Sequence, residues 1–149
     1  MTVHARRRLV LVLGVAAFVL ISLAVARWLD ADSSERAQVE DLLKAQARGD
    51  VGAMALALDR CDTPCAQELA ALAARFADQG SGEVEIVRYD SATSHALGAK
   101  TGKTRVVWQR EGLLPTVQCV TVRRTGNAVT GPAVTLTRLS APIAREGSC

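Results

Sequence analysis

His95, with Asp90 and Ser94 close by in the chain, is the first group that could carry acid–base or nucleophilic chemistry. It is the only histidine beyond the N-terminal apolar stretch, and histidine alone has an unperturbed side-chain pKa near neutrality. Ser94 and His95 are adjacent, however, and neighbours in an extended chain point to opposite faces. Such a pair does not form the short hydrogen bond through which a base activates a nucleophile. No Ser-His-Asp arrangement, paired-carboxylate motif or activated cysteine stands out elsewhere. Glu83 and Glu85 share one face of an expected strand, where edge solubility explains them as well as catalysis does.

The run Gly98-Ala-Lys-Thr-Gly102-Lys103-Thr104 approaches a phosphate loop, which requires G-x-x-x-x-G-K-[ST]. The first glycine position is occupied by Leu97. That loop must also open a helix whose N-terminal amides hold phosphate, whereas a strand is expected to follow here. The run therefore reads as a hairpin turn containing Gly and Lys.

Four cysteines, Cys61, Cys65, Cys119 and Cys149, remain. A zinc site wants C-x2-C pairs with partners at set spacing, but three residues separate Cys61 from Cys65 and His95 is the one nearby imidazole. An even set in an oxidising compartment favours disulfides, with three possible connectivities. The expected pairs are Cys61–Cys65, across the turn at Thr63-Pro64, and Cys119–Cys149, tying the tail to a strand. Cys65–Cys119, helix to sheet, is the alternative. No metal or cofactor is expected.

The elements that position these residues begin with Leu9 to Ala26, eighteen residues without a charge, twelve of them Leu, Ile, Val or Phe. At about 1.5 Å per residue the run covers roughly 27 Å, close to a ~30 Å hydrocarbon core. Trp28 suits the lipid interface. A transmembrane signal anchor over residues 9–29 is therefore expected, contacting the lipid bilayer. Arg6, Arg7 and Arg8 precede it and Asp30, Asp32 and Glu35 follow, which keeps residues 1–8 cytoplasmic and places the C-terminus outside a single-pass cell-membrane protein. Ala24-Val25-Ala26 fits a signal-peptidase pattern. The apolar run reaches right up to that triplet, which favours an uncleaved segment.

From residue 27 onward the chain is long enough for one domain, expected over 30–140 with a tail over 141–149. The net charge of +3 resides in the three N-terminal arginines; the remainder balances fifteen basic against fifteen acidic residues. Residues 27–90 hold seven basic and thirteen acidic side chains, and residues 91–149 hold eight and two. This reads as an acidic helical layer on a basic strand layer, or as a basic face for an acidic partner. With only five aromatic residues, the chain lacks the stacking platforms that single-stranded nucleic acid requires.

Asp32-Ser-Ser-Glu35 resembles a capping box opening a helix with Val39, Leu42 and Leu43 on one side. Gly49 suits a left-handed helix end, Asp50 the cap of a short second helix, and Thr63-Pro64 the start of a third carrying Leu69, Leu72 and Phe76. From Glu83 the apolar period switches to two. Strands are expected over 84–89, 104–110, 117–123 and 133–139, with turns at Gly102, Glu111-Gly112 and Thr125-Gly-Asn127. On the first strand Val84, Ile86 and Arg88 should oppose Glu85, Val87 and Tyr89. The fold class is α+β: after the transmembrane helix, two or three helices on a curved antiparallel sheet of four or five strands.

This order, with a first helix, Gly49-Asp50, further apolar helices and a sheet ending at Leu139, resembles the nuclear-transport-factor-2-like (cystatin-like) α+β domains of single-pass bacterial membrane proteins. The resemblance implies a cone-shaped fold with a cavity between helices and sheet. Leu43, Phe76, Val120 and Val122 are the expected lining, suited to an acyl chain or a partner's apolar side chain. The resulting expectation is a membrane-anchored extracytoplasmic domain without catalytic activity that binds a protein or lipid partner and no nucleic acid. The alternative is a cavity-based binder of lipid-like ligands, or a hydrolase, using Tyr89, His95 and Trp108.

Overall fold

Between Val3 and Ala47 the sequence has no proline and only Gly14 as a helix-weakening glycine. In the computed structural model, which describes residues 3–77, 82–91, 100–127 and 131–149, this whole stretch is one helix, α1 (Val3–Ala47). No break occurs at Asp32, so the expected capping box does not open a helix there. It also follows that α1 runs through the boundary expected between residues 29 and 30.

Among the described residues, no helix is long and apolar enough to cross a membrane. This corrects the expected transmembrane helix over 9–29. The uncharged run of α1, Leu9 to Ala26, rises roughly 27 Å, less than a ~30 Å hydrocarbon core. Arg27, Asp30 and Asp32 follow at once and prevent the apolar run from lengthening. Of the residues expected to orient it, Arg7 is exposed; the side chains of Arg6, Arg8 and Trp28 lie outside the described residues.

The C-terminus of α1 forms as the sequence anticipates. Gly49 adopts φ +70°, its N–H donates to Gln46 (3.0 Å) and the Asp50 N–H donates to Ala45 (2.9 Å), the paired bonds of a glycine-terminated helix. The Asp50 carboxylate then accepts from the Ala53 N–H at 2.9 Å and opens α2 (Val51–Ala57). For α3 (Thr63–Ala77) the capping acceptor is the Asp62 carboxylate, 3.2 Å from the Cys65 N–H, and not the Thr63 hydroxyl. A carboxylate at that point also favours the positive end of the helix dipole.

Four strands, β1 (Val84–Asp90), β2 (Lys100–Arg110), β3 (Thr116–Asn127) and β4 (Gly131–Leu139), form an antiparallel meander in the order β1-β2-β3-β4. The α+β class with a four-stranded antiparallel sheet is thus established. β2 and β3 are longer than the sequence pattern suggests. Gly102 and Lys103 lie within β2 opposite Val122 and Thr121, and Thr125, Gly126 and Asn127 pair with Ala133, Pro132 and Gly131. Neither segment is a turn. Ladder bonds to a long neighbour override the local weakness of an isolated glycine.

A register shift between Ile86 and Arg88 places a bulge at Val87 in β1. An extra residue reverses the facing of everything after it. Tyr89 therefore joins Val84 and Ile86 on the inner side, while Val87 is left 52% exposed. This corrects the simple alternation.

The inner sheet face buries Val106, Trp108, Val120 and Leu136 against Leu42 and Leu43 of α1 and Leu69 and Phe76 of α3. Phe76 and Trp108 meet with centroids 5.2 Å apart. The Trp108 indole N–H donates to the Gln118 side-chain oxygen at 2.7 Å, and the Gln118 amide donates to the Ser140 carbonyl at 2.9 Å, so this buried polar pair is satisfied. Arg110, also buried, donates to the last carbonyls of two helices, Ala47 (3.4 Å) and Phe76 (3.1 Å). A cation there complements both helix dipoles; burial lowers its pKa from the ordinary value.

Both expected cysteine pairs are present, Cys61–Cys65 and Cys119–Cys149, with Cα atoms 5.2 and 5.7 Å apart. The tail beyond Leu139 folds back over the strands. The Ile143 N–H donates to Val117 at 2.8 Å, and Arg105 donates to the carbonyls of Gly147 (3.0 Å) and Arg145. By the chain-entropy relation, the bridge with sequence separation 30 stabilises by about 3.7 kcal/mol and the short one by about 2 kcal/mol. Replacing Cys119 and Cys149 together with serine should lower the urea-unfolding free energy more than replacing Cys61 and Cys65 does. Equal losses would show that the tail's hydrogen bonds, and not the bridge, hold it.

Candidate functional site

Chemistry-bearing residues converge at one place in the described structure, and it is centred on Glu35. α1 carries this residue into the core, where its side chain is fully buried. Its Oε1 accepts from the Tyr89 hydroxyl (2.6 Å), the Thr104 hydroxyl (2.8 Å) and the Ser91 hydroxyl (3.1 Å). Its Oε2 accepts from Nε and Nη2 of Arg124, at 2.8 and 2.5 Å. The donors come from β1 through its bulge, from the residue just after β1, from β2 and from β3.

Burial by itself would raise the Glu35 pKa; the hydrogen bonds from Tyr89, Arg124 and Thr104, with the charge of Arg124, outweigh it and hold the pKa below the ordinary 4.5. Burial and the adjacent carboxylate push the Tyr89 phenol far above its ordinary 10. A base needs a free lone pair facing a substrate. Both oxygens of Glu35 are engaged and the side chain is closed to solvent, so the cluster acts as a clamp between helix and sheet.

Sequence reasoning read Glu35 as a helix cap and missed this cluster. A signal was available, since Glu35 is set one turn before the apolar stripe of Val39, Leu42 and Leu43, on the same side of the helix. Its partners were not legible. Arg124 lies 89 positions away, and the bulge that turns Tyr89 inward leaves no mark in the apolar pattern.

Two large grooves among the described residues border the sheet. One, of about 900 Å³, lies between α3 and the end of β4, with Glu68, Arg75, Lys103, Arg138 and the Cys119–Cys149 bridge along it. Arg138 reaches Glu68 at 3.4 Å across it. The other, of about 810 Å³, is rimmed by Glu40, Glu83, Glu85 and Glu111, with Arg36 among them. Glu83 and Glu85 therefore belong to an acidic surface, where Gln109 donates to Glu85 at 3.1 Å. Among the described residues, no three His, Cys, Asp or Glu side chains gather so as to hold a metal ion.

Of the other residues singled out in the sequence, Ser94, His95, Leu97 and Gly98 lie outside the described residues. Gly102, Lys103 and Thr104 belong to a strand, so no phosphate loop forms. Leu43, Phe76, Val120 and Val122 are packed together in the core, and none of them borders the grooves described above. No protein-family model matches the chain, and neither a curated protein nor a solved structure matches it.

Because the Glu35 pKa is depressed, its contribution to stability is full above 4.5 and fades as the pH falls through the lower folded value. Glu35→Gln should cost about 3–5 kcal/mol at neutral pH, because it leaves the Arg124 guanidinium buried without its counter-charge. It should also flatten the acid limb of a plot of unfolding free energy against pH. Tyr89→Phe removes one donor of several and should cost only about 1–2 kcal/mol. Wild-type acid sensitivity persisting in Glu35→Gln would assign that limb to other carboxylates.

Proposed function

We propose that this protein is a non-catalytic, disulfide-braced extracytoplasmic domain that works by binding and is held at lipid by the apolar part of α1. One observation carries the reading: residues 10–26 form a helix whose large apolar side chains are exposed on every side, for example Leu13 at 60%, Phe18 at 72% and Leu20 at 67%. A helix apolar all round is stable only where no face meets water. Among the described residues, the first side chain of α1 to enter the core is Glu35, and residues 10–26 are all exposed.

The cysteines support that compartment. Two bridges and, among the described residues, no free thiol suit an oxidising space. The Glu35 cluster supports the binding reading, since both oxygens of its carboxylate are engaged in holding elements together.

The test is flotation of the purified full chain with phosphatidylcholine vesicles. The protein should rise with the lipid. Leu13→Asp combined with Leu20→Asp should shift it toward the unbound fraction, each change removing about 1.5–3 kcal/mol of apolar burial. A chain that stays at the bottom of the gradient, folded and monomeric, would overturn the lipid reading and assign the apolar helix to a protein partner.

A further inference from the structure

We propose that the end of the sheet carrying Lys100, Lys103 and Arg123 is a docking surface for an anionic lipid leaflet. The inference rests on the lipid reading of residues 10–26, and geometry extends it to the sheet. Glu35 is bonded to Thr104 at 2.8 Å, and the carbonyl of Ala47 accepts from Arg110 at 3.4 Å. α1 therefore runs alongside β2, residue 35 level with residue 104 and residue 47 level with residue 110.

Upstream of Glu35 the nine residues back to Ala26 rise roughly 13 Å. In the same direction β2 extends from Thr104 to Lys100, four residues and again roughly 13 Å. Arg124 of β3 pairs with Lys100 and shares its height, and β3 continues roughly 10 Å further to Asn127. The Lys100–Arg124 pair thus stands level with the end of the apolar run. If that run lies in lipid, this end of the sheet meets the headgroups.

The side chains there carry one sign of charge. Thr101 pairs with Arg123 and Lys103 with Thr121, which sets Lys103 and Arg123 diagonally on the outer face. Both are exposed, as is Lys100. Among the described residues, no carboxylate pairs with Lys103 or Arg123. The sequence has no acidic residue from Ser91 to Arg110, nor from Gly112 to Arg145. Like charges at neighbouring sheet positions oppose folding, and an anionic surface opposite them reverses that effect. The acidic groups, Glu40, Glu83, Glu85 and Glu111, line the groove beside Arg110, at the other end of β2.

The experiment mixes the full chain with equal lipid areas of two separable vesicle populations, one of phosphatidylcholine and one containing about a quarter phosphatidylglycerol. The expected distribution at low salt favours the anionic population. Lys103→Gln combined with Arg123→Gln should reduce that ratio roughly thirtyfold, about fivefold for each cation near the surface, without lowering the total bound. A ratio unchanged by the two substitutions overturns the docking surface and leaves the lipid reading standing. Absence of the chain from both populations overturns both.

Hydrogen exchange of the wild type on the two vesicle populations provides a second measure, independent of how the variant folds. The amides of Lys100–Lys103 and Arg123–Gly126 should exchange more slowly on anionic lipid. Equal rates on both overturn the proposal. This readout also separates the sheet from Arg6, Arg7 and Arg8, which would raise anionic preference without protecting strand amides.

Discussion

A single buried carboxylate sets the architecture. Glu35 is fully enclosed, and an ionised carboxylate in such a place is tolerated only when it is hydrogen-bonded and paired. Its donors come from three strands, with Tyr89, Thr104 and Arg124 each more than fifty positions away in sequence. Satisfying them all fixes the rotation of α1, the height of α1 along β2 and the facing of β1 after its bulge. A slip of one residue in any of these would strand a charge in the core. The clamp therefore specifies register more than it adds to stability, whereas the apolar contacts around Trp108 supply the bulk of the favourable burial.

The same constraint couples the two halves of α1. Residues 10–26 expose apolar side chains on all sides, and residues 35–47 bury one face, including Glu35, Val39, Leu42 and Leu43, in the core. Because no break separates them, the orientation of the apolar segment is inherited from the Glu35 clamp. At the opposite end, Arg110 closes the C-termini of α1 and α3 with one guanidinium. The helix layer is thus fastened to β2 at both ends by charged groups and in the middle by hydrocarbon.

On the outer face the disulfides and the tail supply what a one-sided sheet lacks. Cys119–Cys149, Arg105 and Ile143 hold residues 143–149 across β2 and β3. Only part of that face is covered, and the part left open carries Lys103, Arg123 and Arg138. The separation of charge along the chain, acidic up to residue 90 and basic after it, becomes a separation in space because the three helices and β1 occupy the first part and β2, β3 and β4 the second.

What the sequence determined by itself is whatever depends on near neighbours. The switch of apolar period from helical to alternating separated helices from strands; Gly49-Asp50 ended one helix and began the next; the two cysteine pairs matched their loops. Each rests on backbone preferences or chain entropy acting over a few residues, or on a parity that alternation displays directly. The tertiary structure decided the rest. The capping box at Asp32 dissolved into a continuous helix because Glu35 is more favourably bound by strands than by its own turn. Gly102 and Gly126 became strand residues because long neighbours paired with them. Tyr89 turned inward because one extra residue in β1 reversed its facing. These outcomes depend on partners dozens of positions away, and a one-dimensional pattern carries no record of which distant donor a buried carboxylate will meet.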